Sequence, residues 1–587
     1  MYQTLSENRL NFDFDPSTIT DLEKEKILQS FFNSDVLIDV SNKEYLKRIS
    51  QLIDFSLDFK RLDGLNLAII NLEPFLERDL TDFESAEGHY FLANAYSNQR
   101  ILKIAKEDVI SKWENPELEK EILHLRLSLK YIQSVREKSS FKNKRSKEEK
   151  FWEDTRFSQI NTNLGKSMND IGRFAEGVEY RNTVLSINPR FGMALGCKGI
   201  SYLWYAQFLH DRGHQFVFYY TAYRLLKMSL NIDLEYVESE NFQKAIPYIQ
   251  SKVKQAYLEK DLDLNSFSLG DSEEEIQYRK WCLQNCLFLN PLNDIGPYPI
   301  AARDILHIPS ITTNINEGPN CQILYNLLKQ EFVTARYSYY KGISGKEAHF
   351  SDKEVFLFDT EDNPIYSKAS EEIKNSFRIC YSIFDKIAFF LNYYFKLGLI
   401  ENRVYFRKIW YIEQKKNKHN REVQVKKPLI LNPNIINKNN LPLLGLFWIS
   451  KDLFEDDIRY KEALEPDAKE WHIIRNHLEH KFLKLGLPEQ ECSLPSYNFL
   501  GDVDKNLTHS IEIHDFERKS LKLLKTVCAA LIYLVLSMQY EEAERQNQKN
   551  KAVKLVQISL QKFPDESKIN DYRVKGNKKN VVGKKKL

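Results

Sequence analysis

Residues 471–484 read WHIIRNHLEHKFLK, and this stretch places an arginine, an amide and several histidines on one short segment. Pro466 and Asp467 favour a helix start just before it, because proline suits a first turn and an acidic side chain suits the positive end of the helix dipole. Gly486 favours an end. The spacing predicts a helix of about five turns with one buried stripe. The stripe consists of Trp471, Ile474, Leu478, Phe482 and Leu485.

The polar residues of this predicted helix lie outside the apolar stripe. Asn476 and His480 are four residues apart and share one side of the helix. Arg475 lies close to the edge of the stripe and must reach around it with its long side chain. One helix does not bring Arg475 and His480 together. Two copies packed about a two-fold axis would, because such an interface places the polar residues of each protomer near those of its partner.

Arg475, Asn476 and His480 resemble the motif of the HEPN superfamily: an arginine, a polar neighbour, three further positions and a histidine, on a late helix of an all-α bundle. The resemblance covers the C-terminal part of the chain. It implies a metal-independent ribonuclease, without a cofactor, whose active site forms between the two protomers of a homodimer. Arg475, Asn476 and His480 would be its catalytic residues. The resemblance also implies a toxin-like or antiviral defence effector.

The chemistry of these residue types fits RNA cleavage independently of the resemblance. Cleavage without a metal needs a group that takes the 2′-hydroxyl proton, a donor for the leaving 5′-oxygen and positive charge beside the phosphorane. A histidine can transfer protons near neutral pH. An arginine stays charged and can bind two phosphate oxygens at once. Asn476 could orient the histidine or hydrogen-bond the phosphate.

The same residues have other interpretations. An arginine, an asparagine and a histidine on the exposed side of a helix are commonly a solvated face. A zinc site is disfavoured, because His477 and His480 are three residues apart and neither HExxH nor HxxEH is present. The zinc ligands would come from His472, His477, Glu479 and His480. The alternative functions are a non-catalytic helical-repeat scaffold with an inactive HEPN dimerisation domain, or a nucleotide-binding or nucleotide-transfer partner protein.

The composition favours helices joined by short loops, since only 20 glycines and 18 prolines occur in 587 residues. The net charge of +2 means that any nucleic-acid binding must come from local clusters. The seven scattered cysteines do not form the pattern of a disulfide framework. The N-terminus lacks a signal-peptide pattern, and the apolar run 527–538 is too short for a membrane span. We therefore expect an all-α, cytoplasmic protein that does not cross a membrane.

A repeat pattern runs through residues 20–235. Leu164-Gly165, followed by Ala175, Tyr180 and Asn188-Pro189, resembles a tetratricopeptide unit of two antiparallel helices, and Gly199 begins a second copy 34 residues after Gly165. The combination resembles bacterial proteins that join such repeats to a HEPN domain. Stacked repeats form a concave surface that commonly holds a protein or peptide partner.

Five segments are predicted along the chain. They are a polar N-terminal segment (1–19), degenerate tetratricopeptide-like repeats (20–235), a mostly helical connector (236–319), a HEPN-type up-and-down bundle (320–547), and a short helix with a basic tail (548–587). Two long bundle helices are predicted, one with Ser370 as its N-cap and Gly398 at its end, the other over residues 511–546. Between the bundle helices, an extended, Asn-rich segment begins at Leu429.

A basic loop lies within the predicted bundle at residues 415–427. A charge run of this size is commonly a solvated loop, but its place beside the Arg/His motif also suits contacts to an RNA backbone. The candidate RNA contacts are Lys415, Lys416, Lys418, Arg421, Lys426 and Lys427.

Overall fold

The computed structural model describes most of the chain. The described residues are 20–32, 40–104, 113–142, 146–232, 236–314, 317–345, 347–358, 364–412, 429–437, 439–457, 459–460, 462–487, 508–548 and 559–568. The candidate RNA contacts between Lys415 and Lys427, the polar segment 1–19 and the basic end from 569 lie outside these residues. In the described part, helices dominate and two short strands are present, which confirms the predicted all-α class.

The described residues of the N-terminal half lie mostly in helices. These helices are α1 (Asp21–Phe32), α2 (Asn42–Asp58), α3 (Leu62–Phe75), α4 (Asp82–Ile104), α5 (Pro116–Lys142), α6 (Lys147–Asp170), α7 (Phe174–Ile187), α8 (Gly192–Phe208), α9 (Arg212–Leu230), α10 (Tyr236–Lys252), α11 (Gln255–Leu258) and α12 (Glu273–Gln284).

The C-terminal half contains longer helices and the two strands. Its elements are α13 (Asn320–Ser344), α14 (Lys368–Tyr394), α15 (Leu441–Lys451), α16 (Ala468–His480), β1 (Phe482–Gly486), β2 (Thr508–Glu512) and α17 (Ile513–Gln548). Strands β1 and β2 pair in parallel, with Phe482 opposite Thr508. The chain divides into two compact units, residues 1–542 and 543–587. Within the second, residues 565–567 form a 3-10 turn.

Close packing at small residues characterises the helices of the predicted repeats. A Cβ at Gly165 on α6 would lie 3.1 Å from the Gly177 carbonyl oxygen on α7. One at Gly199 on α8 would lie 3.2 Å from the Ala222 carbonyl oxygen on α9. Helix α7 ends at Ile187, directly before Asn188-Pro189. The two helix pairs lie where the repeat interpretation needs them, while their assignment to the tetratricopeptide family stays a prediction.

Helix α14 has the buried apolar seam that its sequence predicts. The seam residues Ile373, Phe377, Cys380, Phe384, Ile387, Leu391 and Tyr394 are all buried. The N-cap is Ser367, whose side chain accepts a hydrogen bond from the Ser370 backbone N–H, so the prediction of Ser370 as the cap was wrong. The seam packs against α17, where the rings of Phe377 and Phe516 lie 5.7 Å apart.

Helix α17 is the central helix of the C-terminal half. Its apolar residues Phe516, Leu523, Leu524, Val527, Leu531, Leu534 and Met538 are fully buried. Its length and composition would suit a membrane span, but 83% of its most apolar window is buried inside the protein. This burial is typical of a core helix in a soluble protein.

Helix α15 begins inside residues 429–445, for which the sequence predicted an extended segment, so that prediction was wrong from Leu441 onward. The Asn440 side chain accepts a hydrogen bond from the Leu443 backbone N–H, and Pro442 occupies the first turn. Every residue from Pro442 to Lys451 is buried. A helix buried on all sides shows no amphipathic period, which explains why the pattern did not reveal it.

One hydrophobic core connects the two halves of the chain. It includes Ala86 on α4, Phe174 on α7 and Met538 on α17. A smaller core, from Leu28 to Leu102, lies among the first four helices. Helix α16 is therefore positioned by a core to which the N-terminal helices also contribute. The predicted segment boundaries at 235 and 319 stay predictions.

Candidate active site

Helix α16 carries the predicted catalytic residues, and the core holds its inner face. Trp471, Ile474 and Leu478 are buried, as the stripe predicts. The helix ends at His480, so the prediction that it continues to Gly486 was wrong. Residues from Phe482 onward alternate between exposed and buried, which is the period of a strand. As a result Phe482 is 73% exposed, although the stripe predicted it in the core.

Acidic residues and lysines position the start of α16. Asp467 is the N-cap residue and is itself buried. Its burial disfavours the charged form, but Lys522, Lys130 and other cations outweigh this effect and hold the pKa of Asp467 below its usual value. A salt bridge of 2.6 Å also joins Lys522 of α17 to Glu465. These ion pairs attach the start of α16 to α5 through Lys130 and to α17 through Lys522.

Arg475 and Asn476 are in direct contact. The Arg475 Nη1 donates a hydrogen bond of 3.0 Å to Asn476 Oδ1. The guanidinium also lies 6.0 Å from the ring centre of Tyr381 on α14. Burial raises the pKa of nearby Asp385, while the Phe406 backbone N–H and Arg475 oppose that shift. Arg475 is thus held at the boundary between α14 and α16, half-buried and next to the surface.

His472 extends this pair into a chain of polar contacts. Its Nε2 lies 2.9 Å from Asn476 Nδ2 and 3.1 Å from Asp456 Oδ2. The ring also packs edge-on against Phe454, at 5.2 Å between centres. The Asn476 amide can donate a hydrogen bond only to an unprotonated Nε2, whereas the Asp456 carboxylate can accept one only from a protonated Nε2. His472 can therefore satisfy only one of its two neighbours in each protonation state.

His480 is exposed at the last residue of α16. It makes no hydrogen bond to any residue that the structure describes. Near this helix end, Arg378 of α14 donates a hydrogen bond of 2.9 Å from Nη2 to the Leu478 carbonyl oxygen, which would otherwise lack an intrahelical partner. The structure thus joins Arg475 and Asn476 within one protomer, and it shows no hydrogen bond from either residue to the exposed His480.

His477 belongs to the other edge of the helix. Its Nδ1 lies 2.8 Å from the Ile473 carbonyl oxygen. Its ring lies 5.4 Å from that of His509 on β2, and burial followed by the charge of His477 lowers the pKa of His509. His477 therefore points away from His472. Among the described residues, no three His, Cys, Asp or Glu side chains converge in a way that could hold a metal ion.

Sequence reasoning missed three residues that the fold adds to this site, which are Asp456, Tyr381 and Arg378. Asp456 and His472 are 16 residues apart on opposite sides of a loop, so their contact has no signal in helical spacing. Tyr381 and Arg378 lie on α14, about a hundred residues earlier. Only the packing of α14 against α16 shows what these two residues contact.

The comparisons with known proteins agree with the C-terminal assignment. Residues 312–541 match the family model described as LA2681-like HEPN, and this range includes α13 to α16 and most of α17. Neither the search of curated proteins nor the search of solved structures found a match. The part of the chain that carries Arg475, Asn476 and His480 is therefore similar to the LA2681-like HEPN family.

Proposed function

We propose that the protein is a metal-independent endoribonuclease of the HEPN type, active as a homodimer. The observation that carries this proposal is the arrangement on α16: an arginine oriented by the neighbouring Asn476, and an exposed His480 on the same helix. Neither Arg475 nor His480 forms a salt bridge with another described residue. The guanidinium can bind a phosphate and the imidazole can move a proton.

The reaction follows from these groups. A histidine takes the proton of the 2′-hydroxyl, the 2′-oxygen bonds to phosphorus, and the bond from phosphorus to the 5′-oxygen breaks. A second proton donor protonates that oxygen, and Arg475 stabilises the negative charge on the phosphorane. The products are a 2′,3′-cyclic phosphate and a 5′-hydroxyl. A second copy of α16 completes the site, because Arg475 and His480 do not converge within one protomer.

The cellular role that we propose is that of a toxin-like or antiviral effector regulated through its N-terminal helices. Its partners are RNA, a second copy of the chain and a protein or peptide held by those helices. The family match at residues 312–541 supports a nuclease-type or nucleotide-related function. The non-catalytic scaffold and the nucleotide-transfer protein remain the alternatives that the experiment must separate.

The test is cleavage of a mixed cellular RNA pool by purified protein in excess EDTA. We expect cutting by the wild type with cyclic-phosphate ends, and a loss of about 100-fold or more in Arg475→Ala and in His480→Ala. Arg224→Ala and His514→Ala are matched controls, because these side chains are solvent-accessible, lie outside the site and each pair with a carboxylate. Cutting that survives both site substitutions, or no cutting by the wild type, would contradict the ribonuclease proposal.

A further inference from the structure

One side of α16 carries a symmetric pattern, half-buried at His472 and Asn476 and exposed at His480. His472, Asn476 and His480 follow one another at intervals of four residues, so the order histidine, asparagine, histidine is the same in both directions. Successive residues at this interval lie along one side of a helix. None of the three is buried in the core. This pattern is complementary to itself, as an isologous interface requires.

Within one protomer the two histidines cannot act on the same phosphodiester. Eight residues of helix separate them, which is about 12 Å along the axis. Two antiparallel copies of α16, related by a two-fold axis beside Asn476, remove this separation. His472 of one protomer then lies opposite the partner's His480, and the two Asn476 residues lie opposite each other. Each dimer would have two such histidine pairs.

The surroundings of the two histidines differ. His472 has a carboxylate, Asp456 Oδ2, 3.1 Å from Nε2, which is the acceptor that a protonated imidazole needs. Phe454 fixes the plane of the ring. His480 is exposed and has no carboxylate bonded to it among the described residues. A pair of titratable groups in unlike surroundings is the usual basis of an acid and base assignment.

We propose that His472, supported by Asp456, is the general acid of the ribonuclease and acts across the dimer with the partner's His480 as the general base. This inference rests on the proposed function. The neutral His480 of the partner takes the 2′-hydroxyl proton as the 2′-oxygen bonds to phosphorus. His472 gives its Nδ1 proton to the 5′-oxygen as the bond from phosphorus to that oxygen breaks, while its Nε2–H stays hydrogen-bonded to Asp456. Water restores both protonation states before the next cleavage.

The same step accounts for the two competing contacts of His472. When Nε2 is protonated it donates to Asp456 and cannot accept from Asn476. The Asn476 amide is then available to donate to a phosphate oxygen while its Oδ1 still accepts from Arg475. Protonated His472 therefore prepares both the leaving-group proton and the phosphate contact.

The first experiment compares ordinary RNA with RNA in which sulfur replaces the bridging 5′-oxygen, since a thiolate leaves without needing a proton. We expect His472→Gln to lose about 100-fold on ordinary RNA and to approach the wild-type rate on the sulfur substrate. Asp456→Asn should show a smaller loss with the same recovery. Arg475→Ala and His480→Ala should stay impaired on both substrates, and His514→Gln should behave as the wild type.

The second experiment mixes two inactive proteins. In a mixed dimer of His472→Gln and His480→Ala, one of the two composite sites keeps both histidines, so mixing should restore up to about a quarter of the wild-type rate at random assortment. Thermal unfolding of each variant shows that it is folded.

Three results would overturn the inference while the ribonuclease itself stands. They are full activity of His472→Gln on ordinary RNA, no recovery of that variant on the sulfur substrate, or no activity in the mixed dimers. Wild-type cutting that survives Arg475→Ala and His480→Ala would instead remove the proposed function, and this inference with it.

Discussion

At the scale of single residues, Asp452 is a buried charge held by two arginines, and it lies just before the loop that carries Asp456. Arg126 of α5 donates two hydrogen bonds to it, at 2.5 and 3.0 Å, and Arg173 donates a third at 2.6 Å. Burial disfavours the charged carboxylate, but the charges of Arg126 and Arg173 prevail and keep the pKa of Asp452 below its usual value. This carboxylate connects the N-terminal helices to the segment leading into α16.

We predict that Asp452→Asn lowers the free energy of unfolding by about 3–5 kcal/mol, because two buried guanidinium groups lose the carboxylate they share and keep only the weaker or lateral charges of Glu465 and Glu176. Asp261→Asn is the control, since Asp261 pairs with Arg224 but its side chain is 94% exposed. That substitution should change stability by less than about 1 kcal/mol. Urea unfolding of both variants measures the difference. Equal effects would show that Asp452 is not the key electrostatic contact.

A pair of half-buried histidines makes stability depend on pH. The Nδ1 atoms of His89 and His124 lie 3.1 Å apart between α4 and α5. Burial lowers the pKa of His89 to about 4 and that of His124 to about 3. Below about pH 6.5 these histidines bind protons in the unfolded state but stay neutral in the folded state. The free energy of unfolding therefore falls as the pH falls.

The expected loss between pH 7 and pH 5 is about 2 kcal/mol for each histidine. Unfolding measured by urea at the two pH values should therefore show a smaller difference in His124→Gln than in the wild type. His480 is exposed and lies outside this pair, so His480→Gln should keep the wild-type dependence. A His124→Gln protein with an unchanged pH dependence would contradict the assignment of this effect to the pair.

At the scale of elements, Gly172 determines how closely α15 approaches α7. It has a φ of +79°, and a Cβ there would lie 1.9 Å from the Leu441 carbonyl oxygen. Gly398 has a similar φ of +68°, but a Cβ at that position would have no described atom within 4 Å. Substitution of Gly398 therefore tests the cost of the backbone conformation alone, and substitution of Gly172 adds the cost of a steric clash.

We predict that Gly398→Ala costs about 1–2 kcal/mol, which is the strain of a left-handed alanine. Gly172→Ala should cost clearly more, because the backbone of α15 must also move. Thermal or urea unfolding of the two variants compares them directly. A loss in Gly172→Ala no larger than that in Gly398→Ala would mean that α15 shifts freely, against the close packing described above.

The elements also show why parts of the fold and site could be predicted from sequence and others could not. Helix α14 has a one-sided apolar seam, and α17 has polar residues on one side before Val527 and after Met538, so their periodicity located them. Helix α15 has no polar side and left no periodic signal. The end of α16 was misplaced because Leu485 continues the helical stripe as well as it fits a strand. Arg475 and Asn476 followed from a local motif, whereas Asp456 depends on a loop whose path only the fold defines.

At the scale of the whole molecule, the N-terminal helices complete the environment of α17. Tyr533 donates a hydrogen bond of 2.9 Å to Glu176 and accepts one of 3.0 Å from the Ala175 backbone N–H. Lys525 donates a hydrogen bond of 2.7 Å to Glu179. Helix α7 therefore covers one side of α17, and the range that matches the HEPN family shares its core with residues outside that range.

We predict that a fragment of residues 312–548 does not fold by itself, because removing α7 exposes apolar surface of α17 at about 25 cal/mol per Å². The full chain should unfold cooperatively, and the fragment should aggregate or lack a cooperative transition in circular dichroism. Co-expression with residues 20–311 should recover soluble fragment. A soluble fragment that unfolds at the temperature of the full chain would show that the shared core contributes little.

The shared core also sets an order of events during synthesis. Helix α7 leaves the ribosome roughly 350 residues before α17 is complete, which corresponds to about 20–70 s of translation. During that time the side of α7 that α17 will cover remains open on the nascent chain. A message cut short before residue 513 therefore yields a protein without its central helix. The cell would make the proposed nuclease in active form only from an intact transcript.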